Sequence, residues 1–534
     1  MNKRGFSISY IKKIFPIITV SLIIVFPGHG EQPFNLKELL DSVRKNYSIP
    51  GLSAAIVIDG EVTAEAFTGI RKAGLNVPVT AGDAFMLCSV TKPLTATLAN
   101  ILSEKKILSI KSKIADVFPE LADIMQPEYR EVTIELLLSH RSGMPYQPKT
   151  EPGDEYLSVS SDLMKRRYEY VKSAVIDKPE ADPGRKMIYG GGTIIVAAMM
   201  EKKTGKPWEK LVRDYIFMPL GIKTAGFGAM SEAGGATGVW EHTLVKNRFQ
   251  PEAWPATYSS EVHAPAGRNV HMSAGDLAKF MIASFPYCVK GTRLLSPGTI
   301  IQMQQQAFDG PTSAGWFSTP EQWSDWKTVW HSGDNGKSLS ALVFSQKYNT
   351  GFVLMANISG KKANDGFGVL NEKIKEYLAK EIAARKIIPH LPSANRSLSY
   401  RKPSISSDVY YNMNSYSSAS CFDGILDTRW ATNSQVQDAW IEVDLQKVCR
   451  VQSFFIREEF YPRVSTFSIS AKSDEKEEFR VITKGGKLGE GLVINVPKFT
   501  ARYIRLTVHT DGSEGPTLSE FQVFSDRTEQ VPVK

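Results

Sequence analysis

The segment AFMLCSVTKPLTATLANI, residues 84–101, decides the architecture of the larger part of this chain. An apolar run, 84–88, leads into Ser89-Val90-Thr91-Lys92, and a helix-forming apolar stretch follows. Side chains three apart on a helix share a face, so the Lys92 amine stands one turn above the Ser89 hydroxyl and within its reach. The start of a helix also favours developing negative charge. A serine hydroxyl is a poor nucleophile until a base takes its proton. A lysine serves as that base only when burial or a neighbouring cation brings it well below its free value of ~10.4. Ser-x-x-Lys also occurs at Ser42–Lys45, Ser103–Lys106, Ser324–Lys327 and Ser473–Lys476. Only Ser89 sits between an apolar run and an apolar helix.

Outward from this segment, the periodicities predict an α+β domain. Leu36, Leu39, Leu40 and Val43 fall at i, i+3, i+4 and i+7, one face of a helix. The run GLSAAIVIDG, residues 51–60, reads as a strand closed by an Asp-Gly turn, with its partner over 61–68. Helices are expected over 91–105, 133–138, 193–203, 276–283 and 370–384, and strands over 340–344 and 351–358. A stretch rich in Pro, Ser and Asn follows and reads as a linker, 387–401. Beyond it come short alternating segments at 440–445, 451–457, 467–471, 503–508 and 521–524, the pattern of an all-β sandwich. The expected order is therefore signal peptide 1–30, α+β domain 31–386, linker 387–401 and sandwich 402–534.

The signal peptide is read from early basic residues, an apolar run over 14–27 and a small-x-small site, Gly28-His29-Gly30. That run is short for a membrane span of about 20 residues, so an exported, periplasmic or extracellular protein with no stable span after cleavage is expected. Of the formal charge of +8, Lys3, Arg4, Lys12 and Lys13 carry four, leaving a balance that argues against nucleic acid as a partner. Of four cysteines, Cys88 reads as a small buried apolar residue. Cys421 and Cys449 are chemically able to pair in an oxidising compartment, but sequence does not set their separation.

Two further segments stand in order behind Ser89. Pro183-Gly-Arg-Lys-Met-Ile-Tyr189-Gly-Gly191 runs into an apolar helix, and Trp330-His331-Ser332-Gly333 precedes an apolar strand. With Thr133-Ile-Glu-Leu-Leu-Leu-Ser-His-Arg-Ser-Gly-Met144, Pro265-Ala-Gly267 and the segment 269–280, residues 34–384 resemble the serine beta-lactamase-like family of class C beta-lactamases, D-Ala-D-Ala carboxypeptidases and related esterases. The resemblance implies an acyl-enzyme on Ser89, with Lys92 as general base coupled to Tyr189. It implies a protonated His331 on the edge strand, helping Lys92 to favour the Tyr189 phenolate, and an oxyanion hole from the backbone N–H of Ser89 and Asp334. Gly191 and Gly333 would contact substrate, and no cofactor is implied for catalysis. The family's second motif is usually Tyr-x-Asn, and here it is Tyr189-Gly190-Gly191. The missing carboxamide shifts the expected small-molecule or cell-wall substrate from beta-lactams and peptides toward esters, and the paired glycines are expected to widen the pocket or loosen its loop. It also leaves open a rival in which the scaffold binds a ligand without turnover.

In the C-terminal part, Cys421-Phe-Asp423-Gly424-Ile-Leu-Asp427-Thr428-Arg429-Trp430, Ala439-Trp440-Ile-Glu-Val-Asp444, Ala501-Arg502-Tyr503-Ile-Arg505 and Leu518-Ser-Glu520-Phe-Gln-Val-Phe524 resemble the discoidin, or coagulation factor 5/8 type C, domain, a galactose-binding-like jelly-roll sandwich. The resemblance implies a structural Ca²⁺ held by side chains of Asp423, Thr428 and Glu520 and by carbonyls of Ser420, Ile425 and Ser519, the oxygen-only set a hard cation needs. Trp430 and Trp440 read as core. Arg457, Phe460 and Tyr461, at a strand end, are the expected glycan contacts, so a glycan is the expected second partner.

Overall fold

The computed structural model describes residues 34–148, 162–233, 238–253, 260–286, 292–305, 314–324, 326–385, 397–424, 428–458, 463–489 and 491–525. The expected signal segment, most of the expected linker, Ile425, Phe460 and Tyr461 lie outside the described residues. The chain divides into two compact units.

The first unit is built on a six-stranded antiparallel sheet in the order Glu61–Gly69, Gly51–Ile58, Thr350–Ala356, Leu339–Ser345, Trp326–Asp334, Phe317–Glu321. Gly51–Ile58, Leu339–Ser345 and Thr350–Ala356 are buried along their whole length, which is why they read as unbroken apolar runs: both faces of the sheet are covered. Helices Leu36–Asn46, Ala274–Ala283 and Lys361–Arg385 pack on it. The first is capped by the Asn35 side chain, which accepts from the Glu38 N–H at 3.2 Å, and it buries Leu36, Leu40 and Val43. The last begins nine residues before the expected start at 370. Gly366 and Gly368 discourage a helix in the sequence, but Gly366 lies so close to the Tyr47 ring that an added Cβ would stand 2.8 Å from it. Close packing thus sets a helix that propensity alone argues against.

A helical layer completes the unit. Thr91–Glu104, Ile134–Leu138 and Leu163–Ile176 all pack on Gly192–Thr204, whose residues from Thr193 to Glu201 are buried on every side. His331 does not lie on the edge strand, as the resemblance implies: Phe317–Glu321 pairs outside Trp326–Asp334.

The second unit is an all-β sandwich. Its strands pair in the order Trp430–Ala431, Thr517–Phe524, Asp438–Glu458, Leu492–Thr510, Val464–Lys472, Arg480–Gly485, with Ser404–Ser406 added on Asp438–Glu458. Asp438–Glu458 and Leu492–Thr510 are long because register shifts at Asp444/Cys449 and Val451/Ser453 let one continuous strand bend. Phe422, Trp430, Ile441, Val443, Phe454, Ile504, Leu506 and Phe521 form the core. The sandwich begins earlier than residue 402: Ser397 and Ser399 hydroxyls bond Val523 and Phe521 carbonyls, at 3.1 and 3.2 Å. It also takes in a helix from far upstream, Pro297–Gln304. Ile301 of that helix is buried with Phe455, and Gln305 donates to the Gly491 carbonyl at 3.3 Å. The second compact unit is therefore not contiguous in the chain. Among the described residues, no helix is long and apolar enough to cross a membrane.

Candidate active site

Ser89 lies in a single 3₁₀ turn, Cys88–Val90, that runs straight into the helix Thr91–Glu104. Cys88 is held at φ +48°, a left-handed conformation costly for a residue with a Cβ. Its surroundings hold it there. The Thr91 hydroxyl donates to the Cys88 carbonyl at 2.8 Å, the Ser340 hydroxyl donates to the Leu87 carbonyl, and Gly267, at φ +117°, covers Cys88 so closely that a Cβ would stand 2.4 Å from its carbonyl oxygen. From the other side, the strand carrying Gly333 approaches until a Cβ there would lie 2.6 Å from Cys88 Cβ and 2.7 Å from the Leu87 oxygen. Glycine at 333 is thus required by proximity, and it brings the end of that strand, Asp334, to the turn carrying Ser89.

Lys92 is buried, and its Nζ donates to Ser89 Oγ at 3.1 Å and to the Ala266 carbonyl at 2.5 Å. Burial, assisted by the nearby Arg268 charge, pulls its ammonium down to about 8, against smaller opposing effects of Tyr146 and Cys88. The helical spacing places the pair as expected, and the third dimension supplies the depressed basicity.

Tyr189 hydrogen-bonds Ser89, and Lys92 Nζ sits 4.6 Å from its ring centroid. The expected drift toward phenolate does not occur. Burial pushes the Tyr189 phenol well above its ordinary value, and the Ser89 hydrogen bond offsets this only in part. His331 does not supply the second cation either. It is almost wholly buried, its Nδ1 bonds the Ser332 carbonyl at 2.8 Å, and its Nε2 has no hydrogen-bond partner among the described residues. Burial first, then the Lys92 charge, pull it down to about 3. A carbonyl on Nδ1 requires the proton there, so His331 is a neutral imidazole with its lone pair on Nε2. Desolvation outweighs charge pairing at both residues.

Two residues that the sequence reading left without a role belong to this site. His140 ends the helix Ile134–Leu138 in a left-handed conformation, φ +60°. Its ring packs on Tyr189 at 4.4 Å between centroids, and its carbonyl accepts the Ile188 N–H at 2.8 Å, so the turn carrying Tyr189 hangs on it. Tyr170, on Leu163–Ile176, fills the space beside Gly191: a Cβ on Gly191 would stand 2.1 Å from the Tyr170 phenol oxygen. Gly190 is likewise pressed on the Tyr146 carbonyl and Gly192 on the Leu137 carbonyl, at 3.0 and 2.7 Å from their added Cβ positions. The glycines do not widen the pocket; they let other groups close on the backbone. A hint lay in the run Gly190-Gly191-Gly192 itself, but the partners are remote in sequence.

In the second unit, Thr428 Oγ1 donates to Asp423 Oδ2 at 2.7 Å and lies 3.3 Å from the Ser420 carbonyl. Glu520 is fully buried; Gln522 donates to its Oε2 at 3.2 Å, and its Oε1 has no partner among the described residues. Burial and then, after the opposing Gln522 bond, the Asp423 charge hold the Glu520 carboxyl far above the usual carboxylate range. Ser519 is buried beside it, its hydroxyl accepting from Arg457 Nη1 at 2.9 Å. An orphaned buried carboxylate oxygen facing a second carboxylate suits a hard cation. Among the described residues no group of three or more His, Cys, Asp or Glu is placed to hold a metal, so hydroxyl and carbonyl oxygens would have to complete the set. Arg457 is only 3% exposed, which removes it from the expected glycan surface. Trp430 is core, but Trp440 is only half-buried, with the Arg505 guanidinium 4.3 Å over its ring. Among the described residues of this unit, the aromatic group that does reach solvent is Tyr411, 73% exposed and packed edge-on with Tyr410, which itself packs on Tyr416. Cys88, Cys421 and Cys449 are buried free thiols.

Comparison with known proteins agrees with this fold. Residues 36–372 match the family model described as Beta-lactamase, and residues 420–506 match that described as NedA-like, galactose-binding domain. "Penicillin-binding protein 4" of Amycolatopsis lactamdurans is 29% identical over 303 residues, 56% of this chain and 74% of that protein. "Esterase EstB" of Burkholderia gladioli is 26% identical over 201 residues, 36% of this chain and half of that protein. Among solved structures, an octameric penicillin-binding protein homologue from Pyrococcus abyssi shares the fold, with a TM-score of 0.52 at 18% identity, covering 88% of this chain and 99% of that one. The C-terminal sandwich is a galactose-binding, factor 5/8 type C-like domain. With the larger part of its length matched, the chain belongs to the Beta-lactamase family of serine hydrolases.

Proposed function

We propose that the protein is an exported hydrolase that cleaves an ester or amide through an acyl-enzyme on Ser89, and that its sandwich retains it on glycan or cell wall. The observation that carries the chemistry is Lys92 Nζ at 3.1 Å from Ser89 Oγ, with its ammonium brought down to about 8. Neutral Lys92 takes the hydroxyl proton as Ser89 Oγ bonds to the acyl carbon. The backbone N–H groups of Ser89 and Asp334 hold the oxyanion. As the tetrahedral intermediate collapses, the neutral Tyr189 phenol gives its proton to the leaving group and regains one from Lys92. Water then attacks the acyl-enzyme by the same route in reverse. Tyr170 in place of a carboxamide side chain favours acyl groups that do not require an amide contact, so esters are the preferred class.

The test is a pH profile. Because Lys92 must be neutral to act as base, kcat/KM on a p-nitrophenyl ester should rise with pH and level off above about 8. Below that it should fall about tenfold per pH unit. His331, neutral down to about 3, should add no inflection near 6.5. A profile flat from pH 5 to 9, or one governed by a group near 6.5, would remove Lys92 from the role of base.

The second unit is proposed to bind Ca²⁺ through Asp423, Thr428, Glu520, the Ser420 carbonyl and, by the family resemblance, the Ile425 and Ser519 carbonyls. Bound ion would neutralise the two facing carboxylates. A ligand at 100 times its Kd stabilises the native state by about 2.7 kcal/mol. Excess Ca²⁺ should therefore raise the sandwich unfolding transition of the full chain, and Asp423→Ala should abolish the rise. An unchanged transition in the wild type would refute the site. Exposed Tyr411 offers an aromatic face for a sugar ring, in place of the buried Arg457.

A further inference from the structure

The two backbone N–H groups assigned to the oxyanion hole come from distant parts of the chain, and a buried carboxylate lies behind one of them. The strand Trp326–Asp334 ends in a turn that returns as Leu339–Ser345. Asp334 Oδ1 accepts the Gly336 N–H at 2.7 Å, and Asn335 Oδ1 accepts the Lys337 and Ser338 N–H groups at 3.0 and 2.8 Å. The turn is therefore folded around the Asn335 side chain. That side chain is held in turn by Glu241, on the separate hairpin Glu241–Val245/Arg248–Glu252. Glu241 is 1% exposed, and its Oε1 accepts from both Asn335 Nδ2, at 2.7 Å, and the Ser338 hydroxyl, at 2.9 Å. On the opposite side the turn grips the nucleophile's neighbour: the Asn335 N–H bonds the Cys88 sulfur, and Cys88 Sγ lies 3.7 Å from the Ser338 carbonyl.

We infer that Glu241 is a positioning residue that sets the Asp334 N–H against the Ser89 N–H. The inference rests on the assignment of those two groups as the oxyanion hole. Cys88 directly precedes one donor and Asn335 directly follows the other, so any shift of the Asn335 side chain changes the gap between them. Losing an oxyanion donor costs about 10²–10³-fold in kcat, and a misplacement of about 1 Å costs about 10²-fold. These two hydrogen bonds need an acceptor and not a charge, so an amide oxygen can replace the carboxylate in them.

The experiment is steady-state kinetics on a soluble ester for Glu241→Ala, Glu241→Gln, Asn335→Ala and the double Glu241→Ala/Asn335→Ala, with fluorophosphonate labelling mapped by mass spectrometry. Glu241→Ala should lower kcat about 10–100-fold with KM changed less than about threefold, and slow the labelling of Ser89 in proportion. Glu241→Gln should recover to within about threefold of wild type, and the double variant should lose no more than the worse single. Should Glu241→Ala fail to fold, Asn335→Ala, made on the half-buried turn itself, reports the same kcat loss. Wild-type kcat in both alanine variants, a glutamine variant as impaired as the alanine one, or multiplicative losses in the double would overturn the inference. Labelling of wild type at a residue other than Ser89 would instead overturn the nucleophile assignment, and the inference with it.

Discussion

Replacing Ser89 by Ala is expected to lower kcat/KM on a p-nitrophenyl ester by about 10⁴-fold or more, to the level set by binding and the oxyanion hole alone. The expectation comes from the way the fold spends strain and burial at this point. Cys88 is held in a left-handed conformation so that the following residue begins a helix, and Gly267 and Gly333 close on it from two sides. Among the described residues, the only hydroxyl that Lys92 Nζ bonds is that of Ser89, at 3.1 Å. Lys92→Ala should lose about 10²–10⁴-fold, the usual worth of a positioned general base. Ser89→Ala should leave the melting temperature within a few degrees, since it removes a single oxygen atom and opens no apolar cavity. Mass mapping of a fluorophosphonate adduct is the direct check: it should fall on Ser89 in the wild type and vanish in Ser89→Ala. Unimpaired turnover by the Ser89→Ala protein would place the chemistry elsewhere.

Gly191→Asn, which restores the usual family residue, is expected to damage the enzyme. The backbone at Gly191 is ordinary, φ −78° and ψ 13°, so nothing in its conformation demands glycine. The obstacle is Tyr170, whose phenol oxygen would lie 2.1 Å from the new Cβ. Tyr170 is 3% exposed and edge-on to the His263 ring at 5.9 Å, so it cannot swing aside into solvent. Overpacking of this kind costs about 1–3 kcal/mol. For a domain of this size that is a fall in melting temperature of roughly 2–8 °C. Because Tyr189 is two residues away, kcat should fall at least about tenfold as its phenol is displaced from Ser89. Tyr170→Ala in the same chain should relieve the clash, giving a favourable coupling of at least about 1 kcal/mol in a double-mutant cycle. Additive effects, or a Gly191→Asn protein as stable and active as wild type, would show that Tyr170 does not occupy that space.

Much of the candidate site was legible in the chain because its relations are local. Ser89, in the turn that opens the helix, and Lys92, in its first turn, are three apart, and that spacing puts the amine within 3.1 Å of the hydroxyl. The fully buried strands announced themselves as apolar runs, and the sandwich as short alternating segments. What the chain did not disclose depends on neighbours far off in sequence. Burial, which only the assembled core creates, turned the expected phenolate of Tyr189 and cation of His331 into neutral groups. Tyr170 closed a space that Gly191 seemed to leave open, Glu241 reached the Asp334–Ser338 turn from another hairpin, and Arg457, placed by its strand end among surface residues, turned inward to Ser519. The helix Pro297–Gln304 joined the sandwich through Ile301 and Phe455, a pairing across more than a hundred residues that no periodicity encodes. Sequence by itself determined which chemical groups are present and which share a helix face. Tertiary structure alone decided their protonation and the space around them, because desolvation and steric closure are properties of the packed interior and not of any segment within it.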